Sequence, residues 1–228
     1  MKKTMWIAVG MLAASVVAAS AQEVLSANAV GYIKKTLPAN GQLIAVSIPL
    51  DNMNETNNVF GRTSIAQEAP QGSEVFFWNE AGQNWSVGSK GQKGWAAAQS
   101  NKVVYSGEAF FMRGPSGGSA LEVTITGEVP ADPVLSRAMA GSGTLSAMAN
   151  PYPVDFKFGE SDLAKNATQG TEVYFWSEVG QNWSVGSKGQ KGWAAAQSNR
   201  VVVAGEGFFM KEAGASSTWN QAKPYTWP

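Results

Sequence analysis

Leu121–Val129 reads LEVTITGEV, with apolar and polar residues in alternation. That period of two marks a strand with one buried face. Glu74–Trp78 is different: Val75 and Phe77 load one face with bulk, and Phe76 and Trp78 load the other. Such a strand is predicted to be covered on both sides. Ala81-Gly82 then turns the chain into a strand at Asn84–Gly88, and Lys90–Gly94 (KGQKG) makes a wide turn. Lys102–Tyr105 and Ala109–Arg113 are predicted strands joined at Ser106-Gly107-Glu108. Upstream, Asn40-Gly41 separates VGYIKKTL from QLIAVSIPL. This predicts a hairpin, since Asn-Gly suits the positive φ angles of a tight β-turn. Helical signals are confined to Asn54–Phe60 and Glu160–Lys165, each with room for one or two turns.

The same pattern occurs twice. Residues 71–112 and 169–210 align at an offset of 98 with 8 differences in 42 positions, and Gly82–Asn101 is identical to Gly180–Asn199. Upstream the offset is 102, where Gly41–Ala45 answers Gly143–Ala147 and Pro49 answers Pro151. A repeat of this length suits a small domain rather than one rung of a solenoid. The expected fold is therefore all-β, with two homologous sandwich- or barrel-like units in a pseudo-two-fold arrangement and few short helical turns. The Gly/Pro/Ser-rich stretch Arg113–Ala120 places the expected boundary so that residues 22–118 form the first unit and 119–228 the second.

The chain begins as an export signal does. Lys2 and Lys3 precede the apolar run Trp6–Ala19, and Ala19-Ser20-Ala21 fits a small-x-small cleavage site. Residues 1–21 are read as a signal peptide, with cleavage near Ala21 and a secreted, periplasmic or cell-surface destination. The run is shorter than the ~20 residues needed to cross a bilayer, so no membrane span is expected in the mature chain.

Composition narrows the chemistry. Among 228 residues there are 17 Lys+Arg, 17 Asp+Glu, no His and no Cys. A Ser-His-Asp or Cys-His arrangement, a His/Cys metal centre and a disulfide are all excluded. Losing Lys2 and Lys3 with the leader leaves 15 basic against 17 acidic residues. That balance argues against nucleic acid as a partner. Charged residues make up 15% of the chain, against roughly 25% in typical domains. The resulting surface, rich in Ser, Asn, Gln, Gly and Ala, permits self-association.

The order of motifs carries a resemblance. VGYIKKTLPANGQLIAVSIPL is followed by EVFFWNEAGQNWSV and GEAFFM, then by a second copy with GEGFFM and a terminal STWNQAKPYTWP. This resembles the uncharacterised secreted two-repeat β proteins of Verrucomicrobia-like bacteria, built from LPxGxxLIAxPL … GEGFF modules. The resemblance spans nearly the whole mature chain and implies a secreted, all-β, non-enzymatic protein. It carries over no catalytic residue and no cofactor.

Three residue sets are candidates for function. Gln83-Asn84-Trp85 with Trp95, and Gln181-Asn182-Trp183 with Trp193, place planar rings beside amides, as a sugar-binding face does. The alternative is that these tryptophans fill cores and hairpins. Lys90 and Lys93, with twins Lys188 and Lys191, stand in a Gly-rich loop that could attract an anion such as an acidic polysaccharide. The loop departs from the phosphate-binding G-x-x-x-x-G-K-[ST] pattern, and a solvated turn explains it equally. Glu80 and Glu108, with twins Glu178 and Glu206, are the repeated carboxylates. Their spacing does not require a catalytic pair, and a Gly-Glu turn can use its carboxylate to accept backbone N–H bonds.

The expectation is a secreted, non-catalytic structural or adhesive protein of the cell envelope or extracellular matrix that acts by association. The alternative is a carbohydrate-binding module using repeated exposed tryptophans. Neither needs a cofactor or a metal.

Overall fold

The computed structural model describes residues 29–52 and 58–226. The expected signal peptide lies outside them. Strands dominate, and the expected all-β class is borne out. The first half contains β1 (Val30–Leu37), β2 (Leu43–Ser47), β3 (Asn58–Val59), β4 (Glu74–Asn79), β5 (Asn84–Gly91), β6 (Gly94–Trp95), β7 (Val103–Val104), β8 (Ala109–Arg113) and β9 (Leu121–Glu128). The second contains β10 (Val134–Met139), β11 (Leu145–Ala149), β12 (Phe156–Lys157), β13 (Glu172–Ser177), β14 (Asn182–Ser187), β15 (Val201–Val202), β16 (Gly207–Lys211) and β17 (Ser217–Ala222). Short helices α1 (Ser64–Glu68), α2 (Ala97–Ser100), α3 (Asp162–Asn166) and α4 (Ala195–Ser198) complete it.

The two halves pair their strands in the same way. One sheet runs β2-β8-β4-β5-β6 and the other β11-β16-β13-β14. Beside each lies an antiparallel ribbon, β1 with β9 and β10 with β17. Two-residue pairs join β3 to β7 and β12 to β15. β9 thus bonds along its full length to β1, across the boundary expected at residue 119. Hydrogen bonding ties it to the segment before the Gly/Pro/Ser stretch.

The hairpin expected at Asn40-Gly41 does not form. Both residues have the expected positive φ, 60° and 68°. The strands on either side nevertheless enter different sheets, because the alternating face of β1 finds its partner in β9. Local turn chemistry supplied the bend, and distant pairing chose the neighbour. The helical expectation at Glu160–Lys165 matches α3, preceded by a 3-10 turn at Phe158–Glu160. The expectation at Asn54–Phe60 falls partly outside the described residues. Within them Asn58–Val59 is strand, and the helical turns come later, at Phe60–Arg62 and α1. Thr63 decides this: its hydroxyl accepts from the Ala66 N–H at the start of α1.

Each half has its own core. In the first, Phe60 is fully buried and meets Phe77, Trp95 and Phe110 edge-on at 5.1–5.7 Å. Phe158 repeats this against Phe175, Trp193 and Phe208. Truncating a phenylalanine so placed costs about 3–5 kcal/mol. A third apolar layer, built from Ala45, Ala109 and Phe111 of one half and Ala147, Ala149 and Phe209 of the other, lies between the sheets. β4 is therefore covered on both sides as its composition requires, with Val75 and Phe77 in the first core and Phe76 and Trp78 against the shared layer.

Candidate functional site: an apolar cleft where the halves meet

Strand alternation builds the site. On β4 and β5 the side chains facing away from the half's own core are Phe76, Trp78, Trp85 and Val87, and cross-strand pairing sets Trp78 opposite Trp85 and Phe76 opposite Val87. In the twin sheet Trp176 stands opposite Trp183 and Tyr174 opposite Val185. Phe111 and Phe209 stack between them, centroids 6.3 Å apart at 24°. Trp85 meets both phenylalanines edge-on at 5.6 and 5.8 Å, and Trp183 meets both at 5.6 Å.

These edge-to-face contacts fix the rings, yet the outer members stay open to water. Trp85 is 40% exposed, Trp183 38%, Val87 48% and Val185 50%. A cleft of about 220 Å³ opens here, lined by Trp78, Trp85, Leu145, Tyr174, Trp183 and Phe209. Two of its polar groups are already engaged. The Trp78 indole donates to the Leu145 carbonyl at 2.9 Å, and the Tyr174 hydroxyl donates to Glu172. Burial, then the hydrogen bond and negative charge of Glu172, push that hydroxyl up to about 12, so it stays protonated.

The halves meet through reciprocal bonds. Trp78 Nε1 donates to Leu145 O and Trp176 Nε1 to Leu43 O, each at 2.9 Å. Gln83 closes a two-point pair with Leu145, its Nε2 donating to the carbonyl and its Oε1 accepting from the N–H, both at 3.0 Å. Gln181 does the same to Leu43 at 3.0 and 2.8 Å. Ser47 N donates to Gly205 O and Ala149 N to Gly107 O, at 3.0 and 2.9 Å. A primary amide carries the donor–acceptor pair of a peptide, so each glutamine acts as a one-residue strand on the partner sheet's edge.

The candidate residues read from sequence are thus parted. Trp85 and Trp183 line the cleft. Gln83 and Gln181 are spent on the junction. Asn84 and Asn182 precede the tryptophans by one strand position and project to the opposite face. Trp95 and Trp193 pack on the cores, their indoles donating to Ala66 O and Ala164 O at 2.8 and 2.9 Å. Lys90 Nζ donates to the carbonyls of Ala66, Gln67 and Ala69, capping the end of α1, and Lys188 does so at Ala164, Lys165 and Ala167. Lys93 and Lys191 are exposed on the turn.

The repeated carboxylates do come together, with a cation from the opposite half. Glu80 and Glu108 line a pocket of about 380 Å³ with Lys102 and Arg137, and Glu178 and Glu206 one of about 500 Å³ with Arg200 and Lys35. Glu80 pairs with Arg137. Its carboxyl is still raised above the ordinary range, because burial, reinforced by Glu108, outweighs Arg137. Glu108 accepts the Tyr105 N–H at 3.0 Å and pairs with Lys102 at 3.1 Å. Glu206 accepts the Val203 N–H at 3.0 Å and pairs with Arg200. These two are turn-fastening carboxylates. The cations escaped the sequence reading, although the offset of 102 maps Lys35 onto Arg137. Val87 and Val185 escaped too. Their signal was the Trp-x-Val spacing, which puts both side chains on one face.

Comparisons with family models, with curated proteins and with solved structures find no match to the chain.

Proposed function

We propose that the chain is an exported, non-catalytic structural or adhesive protein that acts by association, using the cleft between its halves as the contact. The observation that carries this reading is the exposure of Trp85 and Trp183 beside the Phe111–Phe209 stack, with Val87 and Val185 exposed on the same faces of their strands. Rigid apolar rings and aliphatic side chains left in water gain most from an apolar counterpart. The resemblance to secreted two-repeat β proteins and the leader-like N-terminus support export.

A polysaccharide is the second reading, favoured by the ring exposure at Trp85 and Trp183. It is weaker because a sugar needs hydroxyl partners beside the ring. Asn84 and Asn182 face away, and the amides of Gln83 and Gln181 are engaged.

Tryptophan emission separates the two. Association shifts the emission to the blue as protein concentration rises, without added glycan, and Val87→Lys/Val185→Lys abolishes the shift. A shift that requires soluble polysaccharide and survives the lysine variant establishes the second reading and ends the first.

A further inference from the structure

We propose that the chain exchanges halves with a second copy of itself, the first half of one molecule seating on the second half of another through the contacts that now close the monomer. Three observations carry this. The junction is reciprocal: Trp78 to Leu145 is answered by Trp176 to Leu43, and the glutamine and backbone bonds repeat the relation. Such an interface is indifferent to whether its two sides belong to one chain or two. Next, the cores are separate, one drawn from residues 37–125 and the other from 139–219, so neither needs the other's apolar residues to close.

The third observation is the connector, Val129-Pro130-Ala131-Asp132-Pro133. Val129 N donates to Ala29 O in the first half. From Pro130 onward every carbonyl is held by the second half: Pro130 by the Tyr225 hydroxyl, Ala131 by Lys223 Nζ, Asp132 by the Tyr152 hydroxyl and Pro133 by Lys223 N. The hand-over therefore falls on the Val129–Pro130 link, and Pro130 and Pro133 keep the segment stiff and extended. Opening that link frees the halves without unravelling either. A short tether holds the intramolecular partner at an effective concentration on the order of millimolar, so chains refolded at low concentration close on themselves and chains refolded at high concentration exchange, and an exchanged dimer reverts only by opening both junctions.

The inference does not depend on the cleft reading. The Glu80–Arg137 ion pair across the junction gives the test. The mature chain is made as two variants, Glu80→Arg and Arg137→Glu. Each mismatches itself, whereas an exchanged heterodimer restores both pairs. The variants are unfolded in denaturant, mixed and refolded at high concentration, alongside a mixture of labelled and unlabelled wild-type chains, and read by native mass spectrometry.

Exchange yields mixed-mass wild-type dimers that persist on native dilution. It also yields a variant heterodimer exceeding either homodimer by about tenfold. Monomers alone in the wild-type mixture overturn the proposal. Mixed dimers that fall apart on native dilution overturn it as well, and leave the cleft reading standing. If the charge variants fail to fold, the wild-type mixture decides.

Discussion

Gln83 and Leu145 bond as two residues of one sheet would, although one is a side chain and the other a backbone. The Gln83 amide donates to the Leu145 carbonyl and accepts its N–H, both at 3.0 Å, and Gln181 treats Leu43 alike. Leu145 begins β11 and Leu43 begins β2, the outer strands of their sheets. Each half thus finishes the other's open edge, a place where an unpaired strand invites unwanted pairing.

Gln83→Ala leaves the Leu145 N–H unpaired, while Trp78 still serves its carbonyl. The expected loss of stability is about 1–2 kcal/mol by denaturant unfolding. The reciprocity adds a sharper expectation: Gln181→Ala should cost the same within about 0.5 kcal/mol, and the two should be additive. A large inequality would show that the halves do not hold each other equivalently.

The sheets pack tightly where Gly207 faces Ala109, and a Cβ built on Gly207 would lie 2.5 Å from that of Ala109. Gly207→Ala should therefore cost about 1–3 kcal/mol by forcing the layers apart. Adding Ala109→Gly should return a large part of that loss. Strict additivity of the two changes in a thermal unfolding cycle would mean the contact is not the cause.

Glu212 separates the halves chemically. It is buried, and burial pushes its carboxyl upward, but hydrogen bonds from the Thr171 hydroxyl at 2.6 Å and from the Thr168 and Gly214 N–H groups hold it below the ordinary value of 4.5. A carboxyl lowered in the folded state stabilises fully above its unfolded value, and that contribution fades as pH falls through the folded value. Glu212→Gln should cost about 1.5–3 kcal/mol at neutral pH and progressively less in acid. A cost that stays constant across acid unfolding curves would contradict the assignment. In the first half Gly114 takes this place, and the Ser73 hydroxyl, twin of Thr171, is buried without a hydrogen-bond partner among the described residues.

The repeat, the β character and the two-sided burial of EVFFW were legible because period and bulk report directly on faces. The identity of Gly82–Asn101 and Gly180–Asn199 was legible, but its reason was not. Gln83 serves the junction, Trp85 the cleft and Lys90 the end of α1, while Trp95 packs on Phe60. Gly88 leaves room for Gln99, whose amide donates to the Val87 carbonyl at 3.2 Å. Those positions tolerate few changes, whereas Gln92 and Lys93 are exposed on the turn and equally unchanged. What escaped the sequence were relations between distant segments: β1 choosing β9 over β2, and Arg137 reaching Glu80. Local pattern names a strand's faces, and only the fold names its neighbours.

Sedimentation velocity of the mature chain, run from micromolar to submillimolar concentration beside Val87→Lys/Val185→Lys, tests the proposed association most directly. The account expects reversible growth of the sedimentation coefficient with concentration in the wild type, and a monomer throughout in the folded lysine variant. A wild type that stays monomeric across the range, or a lysine variant that assembles as readily, would contradict it.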